Sequence, residues 1–415
     1  MITGMKKPAA HARPAKPKIK PRDVQGVKFL TQIMDLLAPL HAHRPDPKRK
    51  LHYDEYCAYL LLYFFTPILD SMRGLQQICD FDQIKNKLGL PRFSLGSFSE
   101  AGAVFDPELL TPLIAQIGAR LEDIALDPRL GSLERRPTAV DGTLLHALPQ
   151  MLWALWLDED HRAAKLHLQL DLLRGAPLAA TLTDAGASES QQLKQNLQPG
   201  RLYLNDRGYF DYLLLAAILE ARSSFVARVR DNVGHEPLGA PRPLSAEAVR
   251  AGVVLDQLVE VGSKNHRQLR GRTLRLVCLR AAASAPRSGR RTGGGCRAGL
   301  VPAPPSDTTI WLLTDLLELD AELIALLYRY RWQIELFFRW FKKVLQADRL
   351  LALSQNGMTI VVYCALIASL LVVLWTGRKP TKRTFELLCF YFAGWVSDEE
   401  LLVHLNRLEP ADPKK

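Results

Sequence analysis

From Met358 to Trp375 the chain runs eighteen residues without a charged side chain. A run of that length is at the edge of what spans a bilayer, and otherwise it must be a helix enclosed on all sides by a large core. The enclosed helix is the preferred reading. Thr359, Tyr363 and Ser369 interrupt the apolar character, no second run of this kind stands elsewhere as a membrane-spanning partner, and a charged helix leads directly into it. At 415 residues the chain is long enough for two or three domains, each with a real core. Its 48% hydrophobic and 23% charged residues exclude collagen-like, disordered and coiled-coil classes.

Residues 23–130 read as a helical domain, with apolar clusters in Val27–Leu40, Tyr56–Leu69 and Leu109–Ile124 and no alternating pattern of any length. Within it, Gln83–Leu88 ends at Gly89, Leu90 and Pro91, and Ser97 with Glu100 has the spacing of a capping box. Helix, short turn, helix is compatible with a DNA-reading helix-turn-helix, but the turn signal alone is weak and two neighbours in a plain bundle is the preferred reading. From residue 136 the texture changes. Arg136–Asp141, Lys165–Leu172, Pro177–Leu182 and Leu202–Asp206 read as strands, with Leu173–Ala176 as a hairpin turn between the second and third. A helical piece around Ala187–Asn196, a helix at Tyr209–Arg222 and a strand at Phe225–Val229 complete the pattern of a mixed sheet covered by helices, an α/β core.

Residues 231–306 interrupt that core. Val253–Val261 and Thr273–Leu279 have strand character around the basic turn Gly262–Gly271, which predicts a β-rich insertion ending in a flexible Arg-, Gly- and Pro-rich loop over 281–306. The core resumes over 307–380 with a strand at Thr308–Leu313 and one long helix at Ala321–Leu345, and 381–415 read as a helical tail. The α/β core is thus expected in two parts, 131–230 and 307–380.

The net charge of +11 points to a polyanionic partner or an anionic surface, yet its placement is uneven. Seven of the eleven charges lie in residues 1–22, which read as a disordered basic tail, and four arginines without an acid lie in 281–306. The rest of the chain is formally neutral, so a nucleic-acid site on the folded body requires local placement of charge. The six cysteines form no Cys-x-x-Cys pair and have no His at zinc spacing, which argues against structural zinc and for a reducing, cytoplasmic setting. No apolar segment follows the basic N-terminus, so no secretory signal is expected.

Asp141 and Asp206 each stand at the end of a predicted strand, followed by Gly142 and by Arg207-Gly208. An Asp-Gly pair alone is usually a turn, but two carboxylates at the ends of neighbouring strands are well placed to share hard cations. In the long helix, Tyr328, Arg331, Glu335 and Lys342 stand at offsets of 0, 3, 7 and 14. At about 100° per residue they share one narrow stripe. The surrounding faces carry Leu326, Leu327, Ile334, Phe337, Phe338, Trp340 and Phe341, enough to bury most of the helix and leave that polar stripe open for a ligand.

The pattern Tyr328-x2-Arg331-x3-Glu335-x6-Lys342 resembles the Tyr-Arg-Glu-Lys signature of bacterial insertion-sequence DDE transposases of the insertion-sequence-four group. The resemblance extends to Asp141-Gly142-Thr143, to Asp206-Arg207-Gly208-Tyr209 and to a β-rich insertion before the Glu helix. It covers roughly residues 50–380 and leaves out the basic tail and the 281–306 segment.

The resemblance implies an RNase H-like fold with Asp141, Asp206 and Glu335 as the catalytic, metal-binding triad. Two Mg²⁺ ions, replaceable by Mn²⁺, would serve the attacking and leaving oxygens of phosphodiester cleavage and strand transfer. Double-stranded DNA, as element ends and target, is the implied partner, with a homodimer holding two ends in a synaptic complex. Tyr328, Arg331, Lys342, Trp332 and Arg207 are the implied DNA-binding residues. Lys342, about 10 Å along the helix from Glu335, would hold a phosphate, Arg331 would make a bidentate phosphate contact, and Trp332 or Trp311 would stack on a flipped base unless buried as core. Lys165 and His167, on one face of the second strand, are further candidates. The alternatives are a decayed or domesticated copy that binds DNA without cutting and, from the uncharged run alone, a membrane protein.

Overall fold

Segments rich in leucine, valine and alanine, several of them buried almost continuously, pair into one nine-stranded mixed sheet in the computed structural model. It describes residues 30–407 apart from 32, 44–47, 125–126, 148–149, 155–161, 230–232, 263–267, 281–308, 347–350 and 378–381. The tail expected over 1–22, the loop expected over 281–306 and the middle of the basic turn Gly262–Gly271 lie outside the described residues.

The strands are β1 (Arg136–His146), β2 (Ala163–Asp171), β3 (Ala176–Asp184), β4 (Arg201–Asn205), β5 (Ser224–Val229), β6 (His235–Pro237), β7 (Val253–Val261), β8 (Thr273–Arg280) and β9 (Thr309–Thr314). Their order is β3-β2-β1-β4-β5-β9-β8-β7-β6. β1, β2 and β3 form an antiparallel meander, β1, β4 and β5 run parallel, and β9, β8, β7 and β6 continue antiparallel. The parallel neighbours need crossovers, which the helices between them supply. The hairpin between β2 and β3 is as expected: the Asp171 carboxylate accepts the N–H groups of Leu173 and Arg174 and shapes the turn. β6, β7 and β8 do not stand apart but extend the same sheet through β9. A buried ion pair, Arg275 with Asp256 at 2.7 Å, ties β8 to β7, and Arg275 also donates to the carbonyls of Leu316 and Leu317 beyond β9.

Helices of seven residues or more are α1 (Tyr53–Phe64), α2 (Met72–Ile78), α3 (Leu95–Val104), α4 (Thr111–Ala119), α5 (Glu189–Gln195), α6 (Tyr212–Glu220), α7 (Ala321–Tyr330), α8 (Gln333–Lys343), α9 (Gln355–Thr376), α10 (Lys382–Phe392) and α11 (Asp398–Arg407). α5 and α6 cover one face of the sheet, where Val140, Tyr203, Phe225 and Leu313 meet Leu193, Leu214 and Ile218. The opposite face, with Ala139, Leu168, Leu204 and Leu312, belongs to the larger core that contains α7, α8, α9 and the N-terminal helices.

The uncharged run is α9, and every residue from Gly357 to Val373 is buried. It packs against α1, α3, α4 and β3, so protein covers the faces a bilayer would have to meet. Each enclosed large aliphatic side chain contributes about 1.5–3 kcal/mol. Its three polar interruptions have partners: Thr359 donates to Gln355 O, Tyr363 to Ala180 O and Ser369 to Leu366 O.

Four local expectations are corrected. β1 runs past Asp141 to His146, still paired with β2, so Asp141-Gly142 is strand and not turn. The N-cap of α3 is Ser94, which accepts the Ser97 N–H, and Ser97 lies inside the helix. The segment before it, Gln83–Lys87, is one π-helical turn separated from α3 by extended chain, which is not the short helix-turn-helix geometry. The expected helix Ala321–Leu345 is two, α7 and α8. At the junction Ile334 N–H bonds Arg331 O and Glu335 N–H bonds Trp332 O, three residues back, a local tightening with no Pro or Gly. Arg331 and Trp332 keep right-handed helical dihedrals, so the polar stripe survives the break.

Candidate active site

The parallel pairing of β1 with β4 ends at Ala139 and Leu204, while β1 itself continues along β2. The sheet therefore opens between the two strands where Asp141 and Asp206 stand, at the carboxyl ends of parallel strands where α/β folds place ligands. Each aspartate is steadied by the next backbone N–H: Gly142 donates to Asp141 Oδ1 at 2.8 Å and Arg207 to Asp206 Oδ1 at 2.7 Å. The α7–α8 junction lies over this opening.

Arg331, at that junction, joins the three predicted carboxylates. Its guanidinium is 3.0 Å from Glu335 Oε1, 4.0 Å from Asp141 Oδ2 and 4.0 Å from Asp206 Oδ2, and its side chain is only 8% exposed. Residues distant in sequence thus meet around one buried cation. The Tyr328 hydroxyl donates to Asp206 Oδ1 at 3.3 Å, and the Arg331 guanidinium lies over the Tyr328 ring at 5.6 Å. Arg228, from β5, stands 3.5 Å from Asp206.

The two aspartates titrate in opposite directions. Burial pushes the Asp141 carboxyl up to about 6; the Gly142 N–H and Arg331 oppose the rise, while Glu335 and Glu189 add to it. Burial also acts on Asp206, but the Arg207 N–H, the charges of Arg331 and Arg228 and the Tyr328 hydroxyl outweigh it and hold that carboxyl below its ordinary value. Burial works against the charge on Arg331, yet Tyr328, Asp206, Asp141 and Glu335 raise its pKa above the usual value. Groups with pKa values pushed apart in one cleft mark a functional site.

The other predicted residues fall in different places. Trp332, next to Arg331 in the chain, is 45% exposed and not core, and Arg207 is exposed next to Asp206. Arg331, expected on a phosphate, is turned inward to the carboxylates. Lys342 donates to Leu144 O on β1, one edge of the opening. Trp311 is half-buried on β9 with its ring 6.4 Å from His235, away from the trio. Lys165 and His167 share a face of β2 as expected, but it is the α5 face: Lys165 is 3.5 Å from Glu189, and His167 is buried with Nε2 on Thr183 Oγ1. Burial, then the nearby Lys165 charge, lowers the His167 pKa to about 4, so its ring is neutral.

Sequence reasoning missed two charged neighbours. Arg228 is an ordinary alternating residue of a predicted strand and carried no signal. Glu189 lies in a helical piece that was expected, but only the fold shows its carboxylate beside both Gly142 and Gly208.

Three carboxylates against one buried arginine leave net negative charge, and carboxylate oxygens are the donors that Mg²⁺ and Mn²⁺ prefer. The donor chemistry fits a divalent cation held by Asp141, Asp206 and Glu335. Their oxygens are spread around Arg331 and do not all lie within 4.8 Å of one another.

The model of the transposase DDE domain family matches residues 132–371. Among curated proteins, a putative transposase of Sinorhizobium fredii is 30% identical over 230 residues, 55% of this chain and 57% of that protein. A probable transposase for insertion sequence element IS5377 of Geobacillus stearothermophilus is 24% identical over 331 residues, 80% of this chain and 79% of that one. A putative transposase for insertion sequence element IS4SA of Synechocystis is 33% identical over 86 residues, 21% and 25% of the two chains. The match thus spans little more than half the length of the first of these relatives. A solved piggyBac transposase synaptic complex with hairpin DNA aligns over 95% of this chain and 84% of that one, at a TM-score of 0.38 and 11% identity. Because the family match covers more than half of the chain and includes all three carboxylates, this protein belongs to the transposase DDE domain family.

Proposed function

We propose that the protein is a divalent-cation-dependent DNA strand transferase that cuts and joins phosphodiesters at the terminal inverted repeats of an insertion sequence. The observation that carries this reading is the meeting of Asp141, Asp206 and Glu335 around Arg331 at the open edge between β1 and β4. The antiparallel meander followed by parallel β4 and β5, with carboxylates on β1, after β4 and on a covering helix, supports an RNase H-like core over 131–230 and 307–380. Membership of the Tyr-Arg-Glu-Lys subgroup, a DNA-binding role for the helical domain over 23–130, a homodimer bringing two ends together and action on chromosomal DNA in the cytoplasm belong to the same reading.

Asp141, Asp206 and Glu335 would hold Mg²⁺, or Mn²⁺ in its place. When bound, such ions supply charge stabilisation for the attacking and leaving oxygens of an in-line displacement. The chain's own residues do the rest. Tyr328 and the Arg207 N–H orient Asp206, and Arg331 balances the carboxylates. In this reading exposed Arg207 contacts a backbone phosphate and exposed Trp332 a base face, and Lys342, which donates to Leu144 O on β1, meets a strand passing over that edge.

The test is nicking of a duplex carrying an element end, with Mg²⁺ and with EDTA. Asp141→Ala, Asp206→Ala and Glu335→Ala are each expected to abolish nicking while duplex binding survives. Full activity in any one of them would sink the assignment. Duplex binding by the wild-type chain with no Mg²⁺-dependent cleavage would instead favour a copy that binds without cutting.

A further inference from the structure

Gly142 and Gly208 follow the two aspartates closely, and neither has a positive φ, so backbone conformation does not demand glycine there. The space a side chain would take is filled by one carboxylate. A Cβ on Gly142 would lie 2.9 Å from Glu189 Oε1, and one on Gly208 would lie 3.0 Å from Glu189 Oε2. Glu189 reaches this slot from α5, on the face of the sheet opposite α7 and α8, and sets one oxygen against the backbone beside each aspartate. Lys165 stands 3.5 Å from Oε1 and donates to Ala187 O at the same distance, which holds the glutamate in place. The Glu189 charge also reaches Asp141, whose carboxyl it helps to raise.

We propose that Glu189 is a positioning residue for the cation site: it fixes the Asp141-Gly142 and Asp206-Arg207-Gly208 segments against each other and adds a fourth negative charge to the field that draws the cation. The inference rests on the reading of Asp141, Asp206 and Glu335 as that site. Substituting either glycine would push the carboxylate out of its slot, which explains why both motifs carry glycine where no turn requires it.

The test is calorimetric titration of Mn²⁺ into the full chain without DNA, paired with melting of the metal-free protein. Glu189→Gln keeps the shape and loses the charge; about ten-fold weaker Mn²⁺ binding is expected, with the metal-free melting temperature unchanged or raised. Glu189→Asp should recover part of the affinity. Gly208→Ala, which keeps the charge but displaces it, should weaken binding as well. Unchanged Mn²⁺ affinity in Glu189→Gln overturns the proposal. So does a loss of affinity that only tracks a fall in melting temperature, with Glu189→Asp no better than Glu189→Gln. Asp141→Asn and Glu335→Gln in the same titration separate the two ideas: if they bind Mn²⁺ like wild type, the reading of the cation site fails, and if they lose binding while Glu189→Gln does not, only the role of Glu189 fails.

Discussion

Arg331 Nη2 donates to Glu335 Oε1 at 3.0 Å across the tightened turn between α7 and α8, and the same guanidinium faces Asp141 and Asp206 at 4.0 Å. Without a bound ion it is the counter-charge for three partly buried carboxylates. Its exchange for Ala would leave those anions facing one another.

Arg331→Ala is therefore expected to destabilise the metal-free protein by about 3 kcal/mol, the cost of removing one partner from a buried charge cluster. Urea unfolding in EDTA measures this. Added Mg²⁺ should stabilise the variant more than wild type, because the ion replaces the lost charge; equal stabilisation would show that Arg331 does not balance the carboxylates.

Asp141 should lower the stability of the metal-free protein at neutral pH. Its carboxyl titrates at about 6 in the fold and near 3.9 in an unfolded chain. The folded state therefore holds the proton more tightly, and that contribution to stability is complete below about pH 3.9 and lost as pH rises through 6. Asp141→Asn removes the ionisation and should stabilise the EDTA-treated protein by about 1–3 kcal/mol at pH 7.5, with the gain vanishing toward pH 4. Thermal melts at the two pH values decide it; no gain at pH 7.5 would mean that Arg331 fully offsets the burial of Asp141.

Cation affinity should fall with one proton, not two, below pH 6. Asp141 must be ionised to ligate, whereas Asp206 is held below its ordinary value and stays ionised through that range. Mn²⁺ titrations between pH 5 and 7 should show affinity falling about ten-fold per pH unit below 6. A hundred-fold fall per unit would mean that a second carboxylate protonates with Asp141.

The buried pair of Asp256 and Arg275 makes a prediction far from the site. Both side chains are about 5% exposed or less, and Arg275 also holds the carbonyls of Leu316 and Leu317 that lead into α7. Asp256→Ala leaves an unpaired buried guanidinium and should cost about 3–5 kcal/mol in urea unfolding, while Asp256→Leu combined with Arg275→Met should recover most of the loss. A cost under about 1 kcal/mol for the single variant would show that the carbonyls alone satisfy Arg275.

Much of the architecture is legible locally. Short apolar runs bounded by turn residues mark the strands because helices cover both faces of the sheet, and the eighteen uncharged residues mark α9 because only a fully enclosed helix tolerates them in a chain with this core. What local pattern misreads is where neighbours override it. Asp141-Gly142 has turn composition, yet β2 continues to pair beyond it and keeps it extended. Ala321–Leu345 has unbroken helical periodicity, yet the hydrogen bonds tighten at Arg331 and Trp332 and divide it. The strands of the expected insertion carry no mark of which sheet they join; β9 decides that by pairing with β5 on one side and β8 on the other.

The site divides along the same line. Spacing along one chain is enough to nominate Tyr328, Arg331, Glu335 and Lys342, because helical geometry turns sequence offsets into a shared stripe, and to single out Asp141 and Asp206 as acids following strand-like runs. Which of these residues meet is a property of the tertiary structure alone. The crossovers bring β1 beside β4, the α7–α8 junction lands over the gap between them, and Arg331 turns inward because three carboxylates lie within its reach. Glu189 had no local signal at all: its place is defined by two missing side chains, at Gly142 and Gly208, which become neighbours only when the sheet forms.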